Sequence, residues 1–127
     1  MNKSILRTVK LFLGINPYEQ TEFDTELLLY INSVFTKLRQ MGIGPQVEDT
    51  DINRYEISSD SETWEDIILE PCKNNRDNCE RMFNEVKAYV CLSVKKLFDP
   101  PSNSSVSTAI DNELKEIEWR ICEIPTF

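Results

Sequence analysis

Apolar residues recur along most of this chain at the three- and four-residue spacing that puts them on one face of an α-helix. Ile5, Leu6, Val9, Phe12 and Leu13 predict a helix over residues 3–13, ended by the left-handed conformation that Gly14 supplies and kept from resuming by Pro17. A second helix follows in "TEFDTELLLYINSVFTKLRQMG", with Leu27, Leu28, Ile31, Val34, Phe35, Leu38 and Met41 inward. Thr21 or Asp24 is placed to cap it, acids crowd its first turn, Lys37 and Arg39 occupy its last, and Gly42 closes it. The rhythm then lapses. Residues 43–60, "IGPQVEDTDINRYEISSD", combine Gly44, Pro45 and scattered acids without a 3.6-residue period, and read as a long irregular loop with a short strand at 55–57.

Helical spacing returns in "SETWEDIIL", a short helix capped by Ser61, burying Trp64, Ile67 and Ile68 and ended by Pro71. Beyond the polar "KNNRDN" a long central helix spans 78–98, with Asp77 and Glu80 at capping-box spacing. Its stripe is Met82, Phe83, Val86, Tyr89, Val90, Val94 and Leu97. Pro100 disfavours the α conformation at Asp99, Pro101 reinforces the stop, and Lys95 and Lys96 sit where they favour the negative end of the helix dipole. A last helix over 105–122 turns Val106, Ala109, Ile110, Leu114, Ile117 and Ile121 inward, before an extended tail at 123–127. The fold class is therefore all-α: a small bundle of four to five helices with a long irregular loop, carrying a short strand or hairpin, between helices two and three. At 127 residues the chain fits a single domain, 1–127, with its core over about 5–122.

Charge and composition narrow the function. The chain carries a net charge of −8, which is the wrong sign for gripping nucleic acid through its phosphates. No run approaches the roughly 20 apolar residues that cross a bilayer, and the charged, broken start "MNKSILRTVKLFLG" is not a signal peptide, so no membrane role is expected. There is no histidine, which removes the commonest general base and the Ser-His and Cys-His pairs. Only three glycines are present, and none form a phosphate-cradling motif. "DTDINRYEISSD" alternates oxygen ligands but lacks the glycine and closing glutamate of a calcium loop. The four cysteines, at 72, 79, 91 and 122, have no zinc-site spacing. Cys91 and Cys122 fit apolar helical patterns as small hydrophobes, while Cys72 and Cys79 flank a link they could close if oxidised, though a cytoplasmic chain keeps them reduced. No enzyme, cofactor or metal is expected.

Three stretches in order, "FDTELLLYINSVFTKLRQMGIGP", "SETWEDII" and "VKAYVCLSVKKLFDPPSNSSVSTAIDNELKEIEWRI", resemble the head–tail connector (adaptor) proteins of long-tailed bacteriophages and prophages. The shared features are the Asn-Ser of helix two, the Gly-x-Gly-Pro after it, the Thr-Trp of the short helix, Phe-Asp-Pro-Pro and Glu-Trp-Arg, spread over residues 5–122. The chain departs from the pattern at "LEPCKNNRDNCERMF", which is longer than the family's usual link. The resemblance implies a non-catalytic virion subunit, made in the host cytoplasm and placed at the head–tail junction. There it forms a dodecameric ring between the portal protein and the stopper or tail-completion protein. DNA passes through that channel without specific binding, and the isolated subunit is monomeric or weakly self-associating.

A ring of identical subunits needs two unlike faces on each. The residues that suit such contacts are Leu29 and Tyr30 on the second flank of helix two, Pro45 and Tyr55 in the loop, Trp119, and Ile124 and Phe127 in the tail. Trp64 reads as core and Trp119 as core or partner contact, because it lies off the Leu114–Ile117–Ile121 line. A reading of a different class, resting on charge and size, is a small acidic helical binding module: an inhibitor or antitoxin-like partner that masks a basic surface.

Overall fold

A computed structural model describes residues 4–44, 56–70, 72 and 76–122. Among them the chain is helical, with one isolated antiparallel bridge, Ser4 to Thr63. Five α-helices run α1 (Ile5–Phe12), α2 (Asp24–Gln40), α3 (Arg76–Arg81), α4 (Phe83–Phe98) and α5 (Ser104–Cys122), with a π-helical turn at Glu65–Leu69. The expected long loop falls between α2 and that turn; its residues 45–55, with Pro45 and Tyr55, lie outside the described residues. No strand is present at 56–57.

The first two helices end for the same reason. Gly14 (φ 80°) and Gly42 (φ 95°) take the left-handed conformation one residue past the C-caps, Leu13 and Met41. Ile15 N–H then donates to the Lys10 carbonyl and Gly14 N–H to Leu11, while Ile43 donates to Leu38 and Gly42 to Arg39. Each is the double bond of a Schellman cap, and each drives its next residue, Ile15 or Ile43, into the core. The starts differ from expectation. The side chain of Ser4 caps α1 by accepting from Arg7 N–H. Neither Thr21 nor Asp24 caps α2 through its side chain: Asp24 is the first helical residue, and its carboxylate is bound to Lys10. Ser61 is not the cap of the short helix either; Thr63 Oγ1 accepts from Asp66 N–H.

The short helix is wound more loosely than an α-helix. Glu70 N–H reaches back five residues to the Glu65 carbonyl at 2.8 Å, and this turn seats Ile67 and Ile68 in the core. The expected central rod is also divided. Met82 (φ −99°, ψ 10°) interrupts it between α3 and α4, although Met82 and Val86 still make their four-residue bonds. Contacts drawing α3 toward the π-turn account for the bend: Arg76 Nη1 donates to the Leu69 carbonyl, and Cys79 lies against Cys72. Because α3 already starts at Arg76, Asp77 and Glu80 form no capping box; Glu80 instead pairs with Arg76 at 2.8 Å.

Helices α2, α4 and α5 form the body. Phe23 packs edge-on against Phe98 at 5.2 Å, which sets the start of α2 beside the end of α4. Polar contacts tie α4 to α5 along an antiparallel seam: Lys96 to Asp111, the Tyr89 hydroxyl donating to Glu118 at 2.6 Å, and Arg120 to Glu85 at 2.7 Å. The α4–α5 corner follows the paired prolines, and its helix is capped by Asn103, whose Oδ1 accepts from Ser105 and Val106 N–H. One cluster of buried residues unites α1, α2, the π-turn, α4 and α5. Trp64 is at its centre, 2 % exposed, edge-on to Phe35, with its indole N–H donating to Thr8 Oγ1.

Candidate interaction surface

Several contacts decide what this surface offers, beginning with the buried charge beneath it. Lys10, in the last turn of α1, is 1 % exposed, and its ammonium donates to Asp24 Oδ1 at 2.8 Å and to the Pro17 carbonyl at 3.3 Å. This pair fastens the end of α1 to the start of α2. Together with the Phe23–Phe98 contact and the antiparallel α4–α5 seam, it collects the end of α1, the start of α2, the end of α4 and the start of α5 at one pole of the bundle.

That pole is apolar and exposed. Of the eight large hydrophobic residues exposed among the described residues, six belong to these terminal turns or to the α1–α2 link: Leu11, Phe12, Tyr18, Phe23, Leu97 and Val106. Three of them correct the sequence reading. Phe12, Leu97 and Val106 keep the helical spacing of the core yet stay about half exposed, because first and last turns project beyond the helices that would cover them; Ala109, also read as inward, is exposed. Spacing identifies a face of a helix but not how far a neighbour extends along it; the signal available in the sequence was their position beside Gly14, Pro100 and Pro101.

The two remaining exposed residues are Leu29 (68 %) on α2 and Trp119 (64 %) on α5. Both are among the residues that the sequence offers as candidates for contacts, and both are exposed. Tyr30 is half-buried, its hydroxyl held above the usual phenol range by desolvation and by hydrogen bonding to Glu26. Pro45, Tyr55, Ile124 and Phe127 lie outside the described residues. Around Trp119, Arg120 joins Glu85 and Glu116 at 2.7 and 2.9 Å, so the indole is framed by paired charges.

Between α2, α4 and α5 runs a groove of about 650 Å³, lined in part by Val34, Lys37, Tyr89, Lys96 and Leu114. Its carboxylates are engaged: Glu118 accepts from Tyr89, and Asp111 Oδ1 lies 2.6 Å from Lys96 Nζ, an electrostatic contact without well-directed hydrogen-bond geometry. Burial, then the neighbouring Glu118, raises the Tyr89 hydroxyl far above the phenol range, so it stays a donor. No group of three potential metal ligands occurs among the described residues.

Most of the short motifs that resemble the connector family have structural jobs. Asn32 clamps the returning loop, its Oδ1 accepting from Ile57 N–H and its Nδ2 donating to the Ile57 carbonyl, both at 2.9 Å. Gly42 and Gly44 take positive φ, Thr63 caps, Trp64 fills the core, and Phe98 meets Phe23. Glu118 and Arg120 hold the α4–α5 seam. Trp119, between them, is left facing outward.

The class so defined is a small all-helical packing subunit with an apolar pole and an outlying tryptophan. The chain matches the phage connector protein family over residues 5–123 and belongs to that family. It is thus a connector-type structural protein of a bacteriophage, a virion component. Comparison with curated proteins and with solved structures returned no match. No described helix is long and apolar enough to cross a membrane.

Proposed function

We propose that this chain, as one domain over residues 1–127, is a head–tail connector (adaptor) subunit. Its ring joins the portal to the stopper or tail-completion protein at the head–tail junction and continues the DNA channel. The observation that carries the reading is the family match over residues 5–123. The surface supports it: the apolar pole offers one contact face, and the exposed Leu29 and Trp119 offer apolar contacts apart from the pole's own cluster, as the unlike second face of a closed ring requires. A net charge of −8 suits a channel wall that repels phosphate, so DNA slides past ungripped. An inhibitor or antitoxin-like module rests on charge and size alone.

Electron microscopy of the protein mixed with its portal tests the proposal. A ring of subunits seated on the portal is the expected result, and a portal left bare at saturating protein overturns it. Light scattering of the protein alone is expected to give a monomer or weak self-association; a tight symmetric dimer at micromolar concentration contradicts the assembly route. Deleting residues 123–127 is expected to weaken portal pull-down with helicity unchanged, and undiminished pull-down removes the tail from the interface.

A further inference from the structure

Cys72 follows the π-turn and Cys79 lies in α3, and the two sulfurs are 3.3 Å apart. Both are buried, at 5 % and 0 % exposure. The S–H of Cys72 has two acceptors in reach, the Ile68 carbonyl at 2.7 Å and the Cys79 sulfur. Cys79 also accepts from Gly44 N–H at 3.4 Å. Hydrogen bonding from Cys72, then the Gly44 N–H and the nearby Arg76, outweigh burial and hold the Cys79 thiol below its usual range. Cys91 lacks such donors and is pushed up to about 11 by burial. Cys122 is exposed at the end of α5, a correction to its reading as a packed thiol.

We propose that Cys72 and Cys79 are a redox modification site that closes reversibly to an intramolecular disulfide, with a peroxide as the class of oxidant. A sulfur pair at this separation needs an approach of about 1.2 Å to reach bonding distance. Both cysteines are buried in the closed state, so the oxidant enters on local opening, and hydrogen peroxide, about the size of two waters, needs a smaller opening than a peptide disulfide. The Cys79 thiolate attacks one peroxide oxygen, the O–O bond breaks, and the departing hydroxide takes the proton that Cys79 released, giving a Cys79 sulfenic acid and water. The Cys72 sulfur then attacks the Cys79 sulfur; the S–S bond forms, the S–O bond breaks, and the hydroxide leaves as water with the Cys72 proton. Two thiols are oxidised by two electrons and one peroxide is reduced to two waters. The bond ties the π-turn to α3 at the sulfur that accepts from the N–H of Gly44, the last described residue before 45–55. The site stands on these contacts and is independent of the connector reading.

The test uses the full chain in a Cys122→Ser background, to exclude intermolecular bonds. It is treated with hydrogen peroxide, blocked with N-ethylmaleimide, digested with trypsin and analysed by mass. Lys73 and Arg76 lie between the cysteines, so only a disulfide keeps the two tryptic peptides together. The expected result is one linked pair per chain, lost on reduction, with Cys91 still blocked by maleimide after unfolding. Closing an eight-residue ring is also expected to raise Tm by about 5–10 °C over the reduced protein. Cys72→Ser and Cys79→Ser each abolish the linked pair; Cys72→Ser leaves Cys79 oxidised to the sulfenic acid with no thiol to resolve it, and Cys79→Ser leaves Cys72 as a thiol that maleimide blocks. Both cysteines recovered as maleimide adducts after peroxide, or a linked pair involving Cys91, overturns the assignment.

Discussion

Replacing Asp24 with asparagine isolates the buried charge at the junction of α1 and α2. Lys10 Nζ, 1 % exposed, loses the charge of the carboxylate 2.8 Å away and keeps only neutral acceptors, the new amide oxygen and the Pro17 carbonyl at 3.3 Å. Removing one partner from a fully buried ion pair costs about 3–5 kcal/mol. Asp24 retains 28 % exposure, so water reaches its side of the pair and the cost falls to about 2–3 kcal/mol. In a chain of this length that lowers Tm by about 6–15 °C. Lys10→Met keeps the aliphatic stem packed and removes the ammonium. It leaves Asp24 in the first turn of α2, where the helix dipole favours an acid, and costs about 0–1 kcal/mol. Asp24→Asn is then nearly silent in the Lys10→Met background, giving a coupling of about 2 kcal/mol. Urea unfolding of the four proteins, followed by circular dichroism at 222 nm, measures the cycle. A cost below about 1 kcal/mol for Asp24→Asn alone, or the same cost in both backgrounds, refutes the assignment of this pair as a buried fastener.

Asn32→Leu removes both bonds to Ile57 and is expected to cost about 1–3 kcal/mol, with hydrogen exchange at the Ile57 amide accelerated first; unchanged protection there counts against the clamp. Burial raises the folded-state value of Cys91 to about 11 from 9.0, so between those values the unfolded chain has released a proton that the folded one keeps. Stability therefore falls as pH rises from about 9 to 11, by up to about 2.7 kcal/mol, and Cys91→Ala removes that share of the slope in urea titrations across this range. Trp119→Ala changes stability by less than about 0.5 kcal/mol, because the indole is 64 % exposed, yet weakens incorporation into particles in a complementation assay; normal incorporation removes Trp119 from the contact surface.

The helices, their glycine ends and the proline stop could be read from the chain because each depends on residues close in sequence. Gly14, Gly42 and Pro100 act through their own backbone geometry, and the core stripe of α2 needs only a 3.6-residue period. The failures share a cause: each turns on a partner distant in sequence. Asp24 reads as a cap until Lys10, fourteen residues earlier, claims its carboxylate. The rod over 78–98 reads as continuous until contacts to Leu69 and Cys72 bend it at Met82. Phe12, Leu97 and Val106 read as core because periodicity is blind to where a neighbouring helix stops. The exposure of Trp119 and Leu29 was legible for the opposite reason: they fall off their own helix's apolar line, which requires no knowledge of a neighbour.

Asn32 has one further consequence. It holds Ile57 from one side while Cys79 holds Gly44 from the other, so the residues between enter and leave the bundle through two fixed docking points. The bundle is therefore insulated from the length of what joins them. Doubling the eleven residues 45–55 adds only about 0.6 kcal/mol of closure entropy, less than the loss of either docking point. Selection can thus rewrite this segment, in length as well as composition, to follow a changing neighbour, and the helices have no need to change with it.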